Sequence, residues 1–486
     1  MQKLKLVTSM FLIITIIALS NFTLADGNEI TDGWNKTFEG LTSGSNDVMY
    51  GAAADSNGNI FMAGVGGNQS GLNTGSDAWV LSFNNSGTSN QSWNFSYSLN
   101  SGVSATDTFY DIAIDSENSV YVVGQGADDD SFTYFSWIIK KYDSNSSENL
   151  TGWNKTLYSG NASNTKAKSI AIDSSDNIYV LGINDPDTAF ANIPRNITII
   201  KFDKNGNKDW HFNESTTCAL GSCYGTAESL EIDSEGHLLL LGTDYDEGNA
   251  ITFLKLMKIN GTDGTQIWEQ NATLENTTTS SHTAGKLAID STDNVYITGS
   301  QTFDNGTKNI TAWTIKKFSS TGTEDSNWNK TFRGKNSGEF VEDKGTVIAI
   351  DNTDEIYVSG LFNNEFDTGS PNSGIDIAIK NFNTSGIEES DWNKTFTSDY
   401  VTPNFATSDN IHDLLFIEGD GLYMVGVGQY QFGISSQDDI WLKKFNATGK
   451  SAAAIPIVPE WDEYALFFIL AIALSGFYYV KKEEEN

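Results

Sequence analysis

The sequence predicts an all-β protein, a seven-bladed β-propeller of four-stranded blades, because two patterns recur along it. The first is a hairpin of two short apolar strands around an aspartate-led turn, written AIDSSDNIYVLG at 171–182 and repeated with variations six more times. The second is a tryptophan that returns every 57 to 64 residues. A period near sixty residues in a glycine-rich, proline-poor chain is typical of a propeller blade of about four strands. The recurring tryptophans are Trp34, Trp93, Trp153, Trp210, Trp268, Trp328 and Trp392.

Each unit supplies its four strands in a fixed order. In the unit that contains residue 171, the first strand is predicted at 169–173, the second at 177–182 and the third at 197–203, and the tryptophan lies on the fourth. The first two strands are almost wholly apolar, which indicates that neighbouring blades cover both faces. Small side chains suit the crowded axis and tryptophan the wide rim, so the first strand is predicted innermost. The alanines at one equivalent place on the first strand are Ala53, Ala113, Ala171, Ala288 and Ala349.

The count of strands predicts how the ring closes. Seven hairpins and seven third strands are present, the last third strand at 439–446, but only six tryptophan strands follow a hairpin. The seventh is already present at Trp34–Phe38, before the first hairpin. We therefore expect this N-terminal strand to become the outer strand of the last blade, which closes the ring and removes its open edges.

The aspartate that opens each turn has two interpretations. It resembles the start of a calcium loop, but such a loop needs a bidentate acid twelve positions along, and that position falls in a different element here. Aspartate is also preferred at the first position of a tight turn, where its side chain accepts hydrogen bonds from backbone N–H groups. We predict the turn, with calcium as the one possible cofactor and no metal site assigned. These aspartates are Asp55, Asp115, Asp173, Asp233, Asp290 and Asp351.

Both ends of the chain are predicted to be targeting segments. Lys3 and Lys5 precede a short apolar stretch, which indicates a signal peptide at 1–25. After the propeller at 26–450 and a linker with a VPEW motif at 451–462, an apolar stretch at 463–480 predicts a transmembrane helix, and 481–486 a cytoplasmic tail. The propeller is thus expected at the cell surface, as an extracellular domain anchored in the cell membrane.

The repeat unit, with its SIAIDSSDNIYVLG hairpin, IKKF third strand and tryptophan, resembles the SBBP-type β-propeller repeat of secreted bacterial and archaeal proteins. The resemblance covers about residues 34–450 and implies an exported or cell-surface protein without implying a single activity. VPEW at 458–461, followed by the apolar stretch and two lysines, is similar to PEP-CTERM and PEF-CTERM sorting tails, which also suits an archaeal or bacterial source. Whether a sorting enzyme would cleave this tail stays open.

Charge and polar composition restrict the partners. The formal net charge is −34 and only two of the 29 basic residues are arginines, so nucleic acid is not expected as a partner. Cys218 and Cys223 are expected to form a disulfide in an oxidising compartment. Candidate N-glycosylation sites of the form Asn-X-Ser/Thr are Asn35, Asn94, Asn145, Asn154, Asn196, Asn271, Asn329 and Asn393.

No short catalytic motif is present. The four histidines lie in four different units, and neither a nucleophile elbow nor a phosphate-binding loop occurs. No catalytic residue is assigned, and the chain is expected not to be an enzyme.

Binding residues are expected on the face where the second-to-third connections and the links between blades emerge, because these are long and rich in acids and aromatics. The candidate ligand-binding residues are Asp128, Asp129, Asp130, Asp244 and Asp246. We expect a binding or structural module for surface glycans, cations or envelope proteins. The alternatives are an extracellular polysaccharide lyase or hydrolase that uses carboxylates of this face, and a passive cell-envelope or surface-layer component.

Overall fold

The computed structural model contains seven four-stranded antiparallel sheets arranged as the blades of a propeller. The strands fall within one compact unit, Thr31–Ala447. The residues described are 32–38, 47–67, 76–99, 106–127, 135–148, 152–157, 165–183, 197–214, 225–246, 251–272, 280–304, 309–333, 343–363, 375–389, 394–396, 410–429 and 438–445. The predicted signal peptide, linker, transmembrane helix and tail lie outside them. Within these ranges, no helix is long and apolar enough to cross a membrane.

Each blade is a meander whose first strand is innermost. Blade 1 consists of β2 (Val48–Ala54), β3 (Ile60–Gly67), β4 (Ser76–Phe83) and β5 (Phe95–Tyr97). Blade 2 consists of β6 (Thr108–Ile114), β7 (Val120–Ala127), β8 (Phe135–Tyr142) and β9 (Lys155–Leu157). Blade 3 consists of β10 (Lys166–Ile172), β11 (Ile178–Ile183), β12 (Ile197–Phe202) and β13 (Lys208–Glu214). Blade 4 consists of β14 (Thr226–Ile232), β15 (Leu238–Asp246), β16 (Ile251–Ile259) and β17 (Gln266–Ala272).

The remaining three blades follow the same order. Blade 5 consists of β18 (Ser280–Ile289), β19 (Val295–Asp304), β20 (Asn309–Phe318) and β21 (Glu324–Phe332). Blade 6 consists of β22 (Lys344–Ile350), β23 (Ile356–Asn363), β24 (Ile375–Phe382) and β25 (Lys394–Phe396). Blade 7 consists of β26 (Asn410–Ile417), β27 (Gly421–Gln429), β28 (Asp438–Phe445) and the N-terminal β1 (Asp32–Phe38).

The ring closes through the N-terminal strand, as the strand count predicts. β1 pairs antiparallel with β28, from Trp34 opposite Lys444 to Phe38 opposite Ile440. The apolar core continues across this junction, since Met49 and Ile60 of blade 1 share one buried cluster with Tyr423 of blade 7. The predicted seven-bladed, all-β fold is therefore confirmed.

The hydrophobic cores lie between adjacent blades. Buried side chains of blades 3 and 4, for example, form a single cluster that contains Leu181, Ile199 and Leu240. At the perimeter, the indole Nε1 of Trp153 donates to the Lys204 carbonyl of the next blade at 3.0 Å, and Trp328 donates to Thr384 at 2.8 Å. The outer tryptophans thus lock neighbouring blades together.

One detail of the outer strands differs from the prediction. Trp93 and Trp153 lie just before β5 and β9 instead of within them, and Trp93 belongs to a short 3₁₀ turn, Gln91–Trp93. Both side chains are nevertheless buried. The indole is held in place by packing between the blades and not by strand pairing. The outer strand can therefore begin two residues after the tryptophan. Trp392 lies outside the described residues.

The turn aspartates act as the turn prediction says. In blade 2, Oδ1 of Asp115 accepts from the backbone N–H groups of Glu117 and Ser119, at 3.0 and 2.8 Å. Its Oδ2 accepts from the Tyr121 hydroxyl at 3.1 Å and from the Lys141 ammonium at 2.9 Å. One buried carboxylate thereby joins the turn of blade 2 to its second and third strands. In blade 5, Asp290 contacts Tyr296 and Lys317 in the same way, whereas blade 4 has Leu239 in place of the tyrosine.

The same turns also join one blade to the next. Asp176, in a left-handed conformation with φ of 60°, accepts from both the backbone N–H (3.0 Å) and the hydroxyl (2.7 Å) of Ser116 in the preceding blade. Asp293 and Asp354 hold Ser234 and Ser291 in the same way. In blade 4 the equivalent residue is Gly236, which has no side chain to make this bond.

Every inner strand contains a β-bulge at the same place. The register shifts between Phe109 and Asp111 in blade 2, and at the equivalent position in each of the other six blades. The bulge presses a backbone carbonyl of the inner strand against the glycine that ends the repeated hairpin. A Cβ atom on Gly124 would lie 1.9 Å from the Thr108 carbonyl oxygen. The glycine is therefore required by the bulge.

We expect Gly124→Ala to lower the free energy of unfolding by at least about 2 kcal/mol, because the inner strand must move to relieve the clash. Chemical denaturation, followed by tryptophan fluorescence, measures the change.

The matched control is Gly236→Asn. Gly236 has φ of 80° and no atom within 4 Å of an added Cβ, and Asn118 occupies the equivalent position at φ of 61°. This variant should unfold within about 0.5 kcal/mol of the parent. Equal stability of Gly124→Ala and the parent would mean that the bulge does not need the glycine.

Candidate active site at the propeller axis

The seven bulges place one side chain from each blade around the axis. We call these seven residues the bulge ring: Tyr50, Tyr110, Lys168, Glu228, Gly285, Thr346 and His412. They line a pocket together with Asp111, Lys286 and Ala284. Its cavity volume is about 140 Å³, whereas one water needs roughly 10–15 Å³. The pocket is large enough to hold a ligand of several atoms at the meeting point of all blades.

The residues that follow the bulges bind the inner strands to one another. Asp111 accepts from the Ser169 hydroxyl at 2.7 Å and from the Ile170 N–H at 3.0 Å, both in the next blade. Asp413 accepts from the Ala52 N–H at 2.7 Å across the closure of the ring. These carboxylates hold the backbone on which the bulge ring is mounted.

Two lysines supply the positive charge of the pocket. Lys286 of blade 5 pairs with Asp413 of blade 7 at 2.6 Å, a contact between two blades that are not neighbours in the ring. Burial disfavours the charged ammonium, but the attraction of Asp413 and Asp111 outweighs it and raises the pKa of Lys286. Lys168 pairs with Glu228 of the adjacent blade at 3.1 Å. Both ammonium groups keep further N–H donors that a ligand could use.

Three rings form an aromatic wall on the side of blades 7, 1 and 2. The ring of Tyr50 lies 5.1 Å from that of His412 and 5.4 Å from that of Tyr110, and the ammonium of Lys168 lies 4.7 Å from the Tyr110 ring centre. Burial raises the pKa of Tyr50, and burial with repulsion from Tyr50 and Glu228 raises that of Tyr110. Both hydroxyls therefore stay protonated at neutral pH.

His412 is a neutral imidazole in this wall. Burial, together with repulsion from Lys286, Lys344 and Lys168, lowers its pKa to about 3. Its Nε2 atom is buried and finds no hydrogen-bond partner among the described residues. Most buried polar atoms in folded proteins have a hydrogen-bond partner, so this nitrogen is available to a ligand in the pocket.

Glu231 is the one acid at the position that alanine holds in most inner strands. Its side chain is exposed, and it interacts with Asp111 of blade 2, Lys286 of blade 5 and Asp413 of blade 7, so it must project into the space at the axis. The protein that surrounds it still removes much of its hydration. This desolvation, with repulsion from Asp111 and Asp413 against attraction by Lys286, raises the pKa of Glu231 to about 7.

Asp244, the predicted ligand-binding residue whose side chain is described, is not among the residues that line this pocket. Asp244 lies on β15, where its carboxylate contacts the ammonium of Lys255 at 3.2 Å beside Glu214 and Glu269. Asp246 ends the same strand, and its side chain is outside the description. Asp128, Asp129 and Asp130 lie outside the described residues, as do Cys218 and Cys223. In the described part of the chain, no group of three or more His, Cys, Asp or Glu side chains is placed to hold a metal ion.

Sequence reasoning missed the bulge ring. Its signal is the bulge position of the inner strand, which carries six different residue types in the seven blades while the positions after it repeat. Tyr50, Lys168 and His412 stand at this position ahead of the AAA, IAI and LLF runs of their strands. Variation at one position of an otherwise regular repeat indicates a position that the fold leaves free for function.

No protein-family model matches the chain, and no curated protein matches it. Among solved structures, it is similar to an ulvan lyase of the polysaccharide lyase group PL25 bound to glucuronic acid and sulfated rhamnose, with a TM-score of 0.52 at 11% identity. The match covers 85% of this chain and 96% of the other. A second structure of an ulvan lyase from that group gives a TM-score of 0.51 with the same identity and coverage. Polysaccharide lyase Uly1 gives 0.46 at 10% identity, covering 82% of this chain and 90% of the other.

These neighbours overturn the expectation that the chain is not an enzyme. That expectation rested on the lack of a short catalytic motif, yet the two ulvan lyase structures share this fold over most of their length. The physical reason is the topology. A site at the axis takes one or two residues from each blade, about sixty residues apart, so a propeller enzyme need not contain a contiguous motif.

The raised pKa of Glu231 makes stability depend on pH. The pKa of Glu231 is about 7 in the folded protein and 4.5 for an unperturbed glutamate. Between pH 4.5 and pH 7 the folded state therefore binds this proton more tightly than the unfolded state does. The contribution of Glu231 to stability is present below pH 4.5 and is lost as the pH rises through 7. We therefore expect Glu231→Ala to gain melting temperature relative to the parent as the pH is raised from about 5 to 8.

Melting curves at several pH values, taken as differences between variant and parent, test this. Ser175→Ala, in the exposed turn of blade 3, removes a side chain that does not titrate, so it is the control and should show a constant difference. A difference for Glu231→Ala that does not change with pH would contradict the raised pKa.

Proposed function

We propose that the axial pocket is the active site of a polysaccharide lyase, which cleaves an acidic polysaccharide by β-elimination beside a uronate. One observation carries the proposal: a neutral imidazole, two protonated phenols and two ammonium groups converge on one pocket. The fold shared with the ulvan lyases supports the same class of enzyme.

β-Elimination needs three groups around the uronate. A base takes the proton α to the carboxylate, a cation stabilises the negative charge that develops on that carboxylate, and an acid protonates the leaving oxygen. We assign these roles to His412, to Lys168 with Lys286, and to Tyr50 or Tyr110. The C–H electron pair becomes the new C=C bond, and the glycosidic C–O pair leaves with the oxygen, which takes the phenolic proton.

The low pKa of His412 is compatible with the role of base. Part of its cause is the repulsion of three lysines, and an anionic substrate bound between those lysines and the imidazole would reduce that repulsion. The basicity of His412 should therefore rise when a uronate is bound. Without a bound anion the imidazole is neutral and a weak base, so the proposed substrate itself would make His412 basic enough to act.

The carboxylates of the pocket favour a lyase over a hydrolase. A glycoside hydrolase needs two carboxyl groups that act on the substrate. Here Asp413 is held by Lys286 and the Ala52 N–H, and Asp111 by Ser169 and two backbone N–H groups. Glu228 pairs with Lys168. These acids are already engaged in holding the blades, whereas the imidazole and the phenols line the pocket.

The acidic surface sets the conditions under which such an enzyme works. A chain with a net charge of −34 repels a polyanion at long range. Salt screens this repulsion, with a Debye length of about 10 Å at 0.1 M. The proposed activity should therefore rise when salt is added at low ionic strength, and an enzyme of this charge suits a saline environment.

We further propose that the propeller works outside the cell, as a membrane-anchored protein of the SBBP-repeat type. The support is in the sequence: the apolar N-terminal stretch, the VPEW motif and the apolar 463–480 followed by lysines. Extracellular display would bring the axial pocket to polysaccharides too large to cross a membrane. Surface glycans are then its proposed partners.

To test the lyase, we would incubate the full-length protein with ulvan, glucuronan, pectate and alginate, and follow the ultraviolet absorbance of unsaturated uronate. We expect this product from at least one of them, at a rate that rises with added salt. His412→Gln should lower kcat by about 100-fold or more, because it removes the base. Tyr50→Phe or Tyr110→Phe should do the same for the acid.

His211→Gln, on the exposed face of β13, is the control and should keep the parent activity. Melting curves establish that each variant is folded. If new reducing ends form without unsaturated uronate, the enzyme is a hydrolase and the lyase proposal is wrong. No cleavage of any of the four polymers would reject an enzyme of this specificity.

The anchor has its own test in the intact mass of the mature protein. A C-terminus at Asn486 is expected if the tail stays in the membrane, and an end near 458–461 if a sorting enzyme removes it. Release into the medium with the full tail attached would contradict both forms of anchoring.

A further inference from the structure

The outer strand of every blade carries an Asn-X-Ser/Thr triplet. These triplets begin at Asn35, Asn94, Asn154, Asn213, Asn271, Asn329 and Asn393. Each asparagine lies in an outer strand or within the two residues before it. Asn213 is recognised as a member of this set only when the outer strands of the blades are aligned with one another. Its triplet is Asn-Glu-Ser, whereas several other blades carry Asn-Lys-Thr.

The described members of this set face the solvent. Asn94, Asn154, Asn213, Asn271 and Asn329 are exposed, while the tryptophans Trp93, Trp153 and Trp328 beside them are buried. On β21 the Thr331 hydroxyl side chain, two residues after Asn329, is exposed as well. Both groups that define the triplet are thus accessible on this strand. Asn393 and the side chain of Asn35 lie outside the description.

The position of the asparagine varies while the triplet persists. It follows the tryptophan directly in blade 5, as Asn329, but stands three residues after it in blades 3 and 4, as Asn213 and Asn271. Positions one and three residues after a buried side chain face the same way on a strand. If the asparagine only served packing at one fixed position, the Ser or Thr two residues later would not have to shift along the strand together with it.

Hydrogen bonds orient two of these amides. Trp79 Nε1 donates to Asn94 at 2.9 Å, and the Lys140 ammonium donates to Asn154. An indole N–H and an ammonium group can donate hydrogen bonds but cannot accept them, so the acceptor in both cases is the amide oxygen of the asparagine. The amide nitrogen, Nδ2, takes no part in either bond. It is the atom to which a sugar would be attached.

Other triplets of this form have a structural explanation. The Asn84 side-chain oxygen accepts from the N–H groups of Ser86 and Thr88, at 3.1 and 2.9 Å, and so closes a turn. Asn383 does the same for Ser385 and Ile387. Among the outer-strand asparagines whose side chains are described, none closes such a turn.

We propose that the seven outer-strand asparagines are N-glycosylated and that the sugars form a belt around the perimeter of the propeller. Nδ2 attacks the anomeric carbon of a lipid-linked oligosaccharide. The N–C bond forms as the C–O bond to the lipid phosphate breaks, and the amide proton passes to the transferase base. The modification rests on the proposed export and is independent of the lyase activity.

The belt has a physical role at the sheet edges. Each outer strand ends its sheet, so one row of its backbone N–H and C=O groups faces no further strand among the described residues. Such an edge is a template for pairing with another chain. Bulky, hydrated sugars on all seven edges would prevent propellers from associating edge to edge.

Glycopeptide mass spectrometry on the full chain, purified from the cells that produce it, tests the proposal. We expect hexose-containing masses on the peptides that carry the outer-strand asparagines. Thr331→Ala, which keeps Asn329, should lose the mass at Asn329 alone. Ser326→Ala removes an exposed hydroxyl of the same strand outside any triplet and should change nothing. Unmodified peptides at the outer strands would overturn the proposal.

A second variant tests the role of the belt. Alanine at Thr37, Ser96, Thr156, Ser215, Thr273, Thr331 and Thr395 removes the acceptor triplet of every outer strand while the asparagines remain. With folding verified by melting, this variant should sediment as larger species at a protein concentration where the parent is monomeric. A variant as monomeric as the parent would refute the protective role.

Discussion

The contact between a glycine of the second strand and a carbonyl of the inner strand is the constraint on which the site depends. In blade 2 the Gly124 backbone lies so close to the Thr108 carbonyl that a Cβ would overlap it. This close approach permits the bulge at Tyr110, and the bulge directs that side chain toward the axis. Because the same contact recurs in all blades, seven side chains meet in one pocket. A repeat built to pack blades thereby creates a site at their common axis.

Three sets of polar contacts between blades, at the turns, at the perimeter and at the axis, hold the blades in place around that site. At the turns, Asp176 bonds to Ser116 of the neighbouring blade, and at the perimeter Trp328 bonds to the Thr384 carbonyl. At the axis, Asp111 bonds to the Ile170 N–H. Hydrogen bonds of this kind contribute only about 1 kcal/mol each. Their main effect is to fix the orientation of each blade relative to its neighbours. A pocket lined by all seven blades needs every blade to keep that orientation.

The ring was predictable from the sequence and the pocket was not. Counting hairpins and tryptophans predicts seven blades and the pairing of β1 with β28, because closure leaves no other partner for the N-terminal strand. The first strand of blade 3 was expected to begin at 169, however, whereas β10 begins at Lys166. That difference placed Lys168 in a loop. Composition instead favoured acids such as Asp244, which the structure pairs with Lys255 inside a blade.

The bulge ring divides into two arcs that suit an asymmetric ligand. His412, Tyr50 and Tyr110 come from the consecutive blades 7, 1 and 2 and form an aromatic wall. Lys168 and Glu228 come from blades 3 and 4 and form a charged wall with the neighbouring Lys286 of blade 5. The small Gly285 and Thr346 separate the two walls on one side, while Lys168 meets Tyr110 on the other. A sugar ring can stack on the first while its carboxylate meets the lysines of the second. A sevenfold scaffold with identical ring residues could not distinguish these two sides, so the departure from the repeat is what would let the proposed site select one orientation of its sugar.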